Sequence, residues 1–282
     1  MVKMLLIIML VFMSKVESAP LGASCEKVFL DKEQFSRVNQ PSGTTNKKES
    51  FKVIKTIPSP DQFFRENFSF NSKPASNLKV KLATQKEMPR ALRILHDSYV
   101  EKKLMKVDDK KMRVSKYTYL PTTKTIIATK DKDVIGTVAI VKDTKEHGLP
   151  SEKLFDLNNL RKKGKVAEIS SLAIDKNNRD GNETTLLMMI KFIANYALEK
   201  EKLDYLVITV NPKYAFLYEA IFLFKKIGNT VENYDFVNGA PAVSLVVDLN
   251  TIKERYKSTY ADVRDPNKNL YNYFFNSEQQ RN

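Results

Sequence analysis

The sequence predicts an α/β protein with a mixed sheet and helices on both faces. Two observations carry this. Apolar side chains recur with strand-like and helix-like spacing in the order strand, helix, strand hairpin, strand, helix, strand, helix, strand. In addition, 282 residues with 42% hydrophobic side chains can bury one substantial core with appendages, but not two clear domains. No internal repeat is present.

The elements follow in order. LKVKLA (78–83) alternates apolar and polar residues and meets Thr84, with Glu87 three residues later, which reads as a strand running into a helix N-terminus. The helix is expected over about 85–104, burying Ala91, Leu92, Leu95, Tyr99 and Val100. TKTIIATKD (123–131) and DVIGTVAIVKD (133–143) are separated by almost nothing and form a hairpin with its turn at 130–133. After the Gly148-Leu149-Pro150 break and a short helical stretch through Leu160, VAEISSLAID (166–175) is a further strand. The charged loop KNNRDGNE then opens an apolar helix over about 183–199. DYLVITVNP (204–212) is a buried strand stopped by proline, 213–227 reads as an amphipathic helix, and PAVSLVVDL (241–249) closes the sheet.

The flanks differ from this body. Residues 1–18 carry Lys3 and the apolar run MLLIIMLVFM before a polar stretch, the pattern of an export signal. The run falls short of the roughly 20 apolar residues of a membrane span. An exported protein is therefore expected, the alternative being an uncleaved anchor with the domain in the cytoplasm. Residues 26–77 form a polar extension with an aromatic patch, FRENFSF. The tail, 251–282, is polar but contains Tyr256, Tyr260, Tyr271, Tyr273, Phe274 and Phe275, so part of it is expected to pack back on the 78–250 domain.

Composition narrows the chemistry. Lys and Arg number 47 against 33 Asp and Glu, a net charge of +14, so the surface attracts phosphates, acidic proteins or anionic membranes. The lysines are spread along the chain without any zinc-finger, helix-turn-helix or RNA-stacking motif, which argues against nucleic acid. Cys25 is the only cysteine, and His96 and His147 are the only histidines. A cysteine-based metal cage, an internal disulfide and a three-histidine zinc site are all excluded. Carboxylates, tyrosines, hydroxyls and the backbone must do the work. Neither a dinucleotide-binding glycine fingerprint nor a P-loop lysine occurs.

Two side chains stand out. Glu168 lies inside an otherwise apolar strand, where a carboxylate is costly to bury, so it is either functional or on a rim. Tyr218 sits among Tyr214, Phe216, Phe222 and Phe224, where a plain core tyrosine is the alternative. The strand-loop-helix unit at 166–199 could also place backbone N–H groups and a helix N-terminus around a pyrophosphate. Its single glycine, Gly181, fits an ordinary turn as well.

The segments GLPSEKLF (148–155), NNLRKKGKVAEISSLAID (158–175), DYLVITVNPKYAFLYEAI (204–221) and NGAPAVSLVVDL (238–249) together resemble the N-acyl amino acid synthase family. That family belongs to the GNAT superfamily and is similar to the acyl-homoserine-lactone synthases. The most specific parts are the Ala-Glu-Ile-Ser strand and the Val-Asn-Pro turn with Tyr218 seven residues after Asn211. The resemblance, over roughly 78–249, implies a GNAT-like, mostly antiparallel sheet. It also implies an acyl group moved from a phosphopantetheine thioester, on acyl carrier protein or coenzyme A, to the amine of an amino acid or similar small molecule. No permanently bound cofactor and no metal are implied. The donor pyrophosphate would lie on the loop of Arg179, Asp180, Gly181, Asn182, Glu183 and Thr184, with Asn211 nearby, although Asn211 and Pro212 also serve simply to end the strand. Backbone N–H groups where strands 166–175 and 204–211 splay would polarise the thioester carbonyl. Glu168 would take a proton from the amine and Tyr218 would protonate the leaving thiolate. The family commonly has Arg at the position of Ser171 and Gly-Phe where this chain has Leu223-Phe224. A rival reading is an exported, inactive GNAT-fold binding module, its mark a cleft plugged by Leu223 or the aromatic tail.

Overall fold

A computed structural model describes residues 59–71, 76–179 and 183–276. The export-type segment, Cys25 and most of the polar extension lie outside the described residues. Among the described residues, no helix is long and apolar enough to cross a membrane.

The strands are β1 (Leu78–Leu82), β2 (Thr123–Lys130), β3 (Asp133–Lys142), β4 (Val166–Ile174), β5 (Tyr205–Val210), β6 (Lys225–Tyr234) and β7 (Ala240–Asp248). They form one seven-stranded sheet in the order β1-β2-β3-β4-β5-β7-β6. Every neighbouring pair is antiparallel except β4 with β5. The β2–β3 hairpin turns on Asp131 and Lys132, whose φ values of 50° and 76° give the two-residue turn that matches strand twist.

The helices are α1 (Pro60–Asn67), α2 (Met88–Glu101), α3 (Asn158–Arg161), α4 (Glu183–Asn195), α5 (Ala215–Phe222), α6 (Leu249–Thr259) and α7 (Leu270–Phe275). The period-two rule separates the two faces. Ile127 of β2 packs with Ala91, Ile94 and Leu95 of α2, whereas adjacent Ile126 packs into the larger core with Leu187 and Ile193 of α4, Leu217 of α5 and the aromatic residues of α6 and α7.

Two sequence expectations shift. The first helix begins at Met88 and ends at Glu101 rather than spanning 85–104, because the Glu87 carboxylate accepts bonds from the Thr84 N–H at 2.9 Å and its hydroxyl at 2.7 Å, closing a separate turn. Tyr99 and Val100 are only partly buried. The helix expected over 213–227 stops at Phe222, where Leu223 takes a left-handed φ of 57°. From Lys225 the chain runs as β6, an exposed edge strand paired with β7 alone. The described part of the tail, 251–276, packs back on the core as expected: α6, the turn after it and α7 bury Ile252, Tyr256, Tyr260, Leu270, Tyr273 and Phe274.

Candidate active site

The centre of the sheet is irregular where β4 meets both neighbours. On the β3 side the register runs from Thr137↔Ala173 to Ala139↔Ser170, so β4 contains one extra residue. Ser171 takes up that bulge with a φ of 60°. On the other side, β4 and β5 pair from Val166↔Tyr205 to Ile169↔Ile208 and then part, although both strands continue. A cavity of about 240 Å³ opens there. Ile169, Ser170, Ser171 and Leu172 line it, with an apolar wall from Val138, Ile190, Ile193, Phe222 and Phe224.

Glu168 lines this cavity one residue before the strands part, at 2% exposure. Its Oε2 accepts the Ser151 backbone N–H at 2.8 Å, and the Thr209 hydroxyl lies 3.5 Å from Oε1. Burial pushes its pKa up to about 7, against the downward pull of the hydrogen bonds from Ser151 and Thr209. A carboxyl held there exchanges protons near neutral pH, as a general base must.

Tyr218 reaches the cavity from α5, its ring against Phe222 and Phe224 with centroids 6.1 and 6.2 Å away. Burial, reinforced by nearby Tyr99, raises its phenol to about 12, so it stays a proton donor. Tyr99 also lines the cavity from α2, with the Arg113 guanidinium 4.2 Å from its ring centre. Tyr234, at the end of β6, donates its hydroxyl to the Pro150 carbonyl at 2.8 Å and completes the wall beside Glu168.

Glu168, Tyr218 and Asn211 thus line one cavity. Asn211 ends β5 as well, its side chain accepting the Lys213 N–H at 3.1 Å. Arg179, expected on a donor pyrophosphate, points inward instead: it donates to the Ile174 carbonyl at 2.8 Å, the Glu101 carboxylate at 2.6 Å and the Ser98 hydroxyl at 2.9 Å, tying β4 to α2. Arg179 is only 8% exposed and its charge is neutralised locally by Glu101, so its side chain serves the packing of β4 on α2. Asp180, Gly181 and Asn182 lie outside the described residues. Glu183 begins α4, and Thr184 is half-buried in its first turn. Thr209, Tyr99 and Tyr234, which meet the cavity through long-range packing, and Ser151, which reaches Glu168 only through its backbone N–H, were not legible beforehand; only Thr209, a hydroxyl interrupting an apolar strand, left a local signal.

Strands that part around a buried carboxyl poised near neutrality, with a tyrosine on the facing helix, define a GNAT-type acyltransferase. Within that class the chain belongs to the FeeM N-acyl amino acid synthase family, whose model matches residues 90–248. FeeM itself, an N-acyl amino acid synthase from uncultured soil microbes, is 24% identical with a TM-score of 0.54, over 63% of this chain and 93% of that one. The acyl-homoserine-lactone synthase LasI is 19% identical with a TM-score of 0.47, over 62% and 92% of the two chains. A spermidine N-acetyltransferase SpeG mutant from Vibrio cholerae is 16% identical with a TM-score of 0.43, over 64% and 99%. No curated protein sequence matches the chain.

Proposed function

We propose that the protein transfers an acyl group from a phosphopantetheine thioester, carried on acyl carrier protein or coenzyme A, to the amine of an amino acid or similar small molecule. The observation that carries this reading is the Glu168 carboxyl, buried on the wall of the cavity where β4 and β5 part and held at about 7.

The acceptor arrives as an ammonium and gives one proton to the Glu168 carboxylate, directly or through water, because only the free amine is nucleophilic. The amine attacks the thioester carbonyl, whose developing oxyanion meets backbone N–H groups at the parted strands. The new C–N bond forms, the C–S bond breaks, and Tyr218 protonates the leaving thiolate. The nitrogen loses two protons in all: one is balanced by the thiol, through Tyr218, and one passes to solvent through Glu168. The donor's phosphates would lie toward the α4 N-terminus, with Thr184 in its first turn. The basic surface, +14 overall, suits an acidic carrier protein. A plugged cleft would have favoured the binding-module rival; among the described residues, neither Leu223 nor any tail aromatic lines the cavity.

Mass spectrometry of lipid extracts from cells expressing the chain or its Glu168→Gln variant tests the proposal. A new N-acyl amino acid that disappears in the variant supports it and identifies both acyl chain and acceptor. No acylated amine from folded, cytoplasmic wild-type protein overturns it.

A further inference from the structure

The turn that gives Glu168 its hydrogen bond is held from outside the cavity. Pro150–Lys153 forms one turn of 3₁₀ helix, and the Ser151 N–H within it donates to Glu168 Oε2 at 2.8 Å. A hydrogen bond to the ionised carboxyl favours the form that can accept a proton. The Tyr234 hydroxyl fixes one side of the turn through the Pro150 carbonyl, at 2.8 Å. The other side depends on Glu152. Its Oε2 accepts the Leu149 N–H at 3.1 Å, and a Cβ at Gly148, where φ is +60°, would land on the same carboxylate, so glycine leaves the room it needs. Arg161 of α3 pairs with Glu152 and also grips Asp143, just after β3, with Nε at 2.6 Å and Nη2 at 2.7 Å. The Asp143 N–H donates to the Val166 carbonyl at 3.1 Å, two residues before Glu168 on β4. One guanidinium therefore ties the turn to the strands that carry the base.

Resting on the reading of Glu168 as that base, we infer that Arg161 is a positioning residue: it holds the Pro150–Lys153 turn so that the Ser151 N–H stays on the Glu168 carboxylate. Arg161 does not line the cavity. The Arg161 and Glu152 side chains are 30% and 36% exposed, so their pairing adds little to stability and its geometry is what matters. Losing Arg161 frees the turn and leaves the Glu152 charge, which already disfavours ionisation of Glu168, without its counter-charge. Lys102, Tyr99, Tyr218 and Tyr234 also line the cavity with Glu168. Burial raises all three phenols, which stay neutral, and lowers the Lys102 ammonium to about 8. Glu168→Gln in each background therefore isolates the Glu168 contribution.

The test follows that contribution in the full chain for wild type, Arg161→Met, Glu152→Gln and the double variant, each with and without Glu168→Gln. The change in urea midpoint that Glu168→Gln produces between pH 4.5 and pH 9 reads the titration without turnover. For wild type it should stop growing above about 7. In Arg161→Met it should grow to about one pH unit higher, the sign expected when the folded state keeps its proton longer. kcat/KM with octanoyl-CoA and L-phenylalanine should fall about 10-fold at pH 6 and recover by pH 9. Arg161→Lys, which keeps the charge and loses the fork, should shift the titration part of the way. Glu152→Gln should move it down, since it removes a like charge and leaves an oxygen for Arg161 and Leu149. In that background Arg161→Met should still move it up. No effect there would reduce Arg161 to a counter-charge for Glu152 and overturn the positioning role, as would a stability loss in Arg161→Met with the titration unmoved. If the titration shifts but no product forms, the transfer reading fails and the positioning stands. If product forms and the Arg161→Met profile matches wild type, the positioning fails and the transfer reading stands.

Discussion

Glu168 costs the fold what it gives the site. Its carboxyl titrates at about 7 in the folded chain against 4.5 as an isolated side chain, with burial as the main cause. The sign follows: between those two values the folded state holds the proton and the unfolded state has released it, so stability falls as pH rises through this window and the penalty is complete above about 7. Glu168→Gln keeps an acceptor oxygen for the Ser151 N–H and removes the charge. It should therefore stabilise the protein by about 1–3 kcal/mol at pH 8 and by little at pH 4.5, read as the difference in urea midpoints. The same change should lower kcat/KM by about 10²–10⁴-fold, and the wild-type rate should climb with pH through about 7 as the base ionises. A Gln variant less stable than wild type at pH 8 would refute the buried, near-neutral carboxyl. Tyr218→Phe keeps both ring contacts and removes the phenol, so kcat should fall about 10- to 100-fold with unchanged thermal unfolding. Glu168 was readable beforehand because a charge inside VAEISSLAI breaks an apolar pattern.

The β4 bulge is the element on which the opening depends. Ser171 occupies the left-handed region, where a side chain with a branched β-carbon meets the backbone and costs about 1–2 kcal/mol. Ser171→Gly should be tolerated or slightly stabilising, whereas Ser171→Val should lower stability by that amount and reduce turnover further by resetting β4 against β3. Equal thermal midpoints for the two variants would sink this account. The alternation and short spacing of β1, the β2–β3 hairpin, β4, β5 and β7 were plain in the sequence, but the bulge was not: Ser170-Ser171 reads as two polar residues in a strand, and register is fixed only by pairing with β3. β6 was missed for the opposite reason. KKIGNTVENY offers few apolar residues because an edge strand buries little, and the aromatic spacing of α5 carried the helical pattern past Leu223 into it.

The parts flanking the family match hold the helix that bears Tyr218. α5 is short, and its last carbonyls need partners from elsewhere. The Ala220 carbonyl accepts from Arg65 at 3.1 Å, Ile221 from Tyr256 at 3.4 Å and Tyr260 at 3.3 Å, and Leu223 from Arg255 at 2.7 Å. Two of these donors are cations at the negative end of a helix. Arg65 comes from α1 and the other three from α6 or its end, and the two flanks are tied together: the Phe70 N–H donates to the Asn267 carbonyl at 2.8 Å, and Phe70 meets the Tyr273 ring edge-on at 5.0 Å. The matched family segment ends at residue 248, yet Leu249, Ile252, Tyr256, Tyr260, Leu270, Tyr273 and Phe274 beyond it are all buried. At about 1.5–3 kcal/mol for each large apolar side chain, their loss approaches the whole stability of a typical domain, about 5–15 kcal/mol. A chain cut after residue 248 should therefore lack a cooperative unfolding transition. The finer test keeps the rings: Tyr256→Phe with Tyr260→Phe removes both hydroxyls from the Ile221 carbonyl at a cost of about 1–3 kcal/mol and loosens the end of α5. Turnover should fall, because Tyr218 moves with the end of α5. Full activity with that stability loss would confine the flanks to folding; loss of both ties them to the position of the acid.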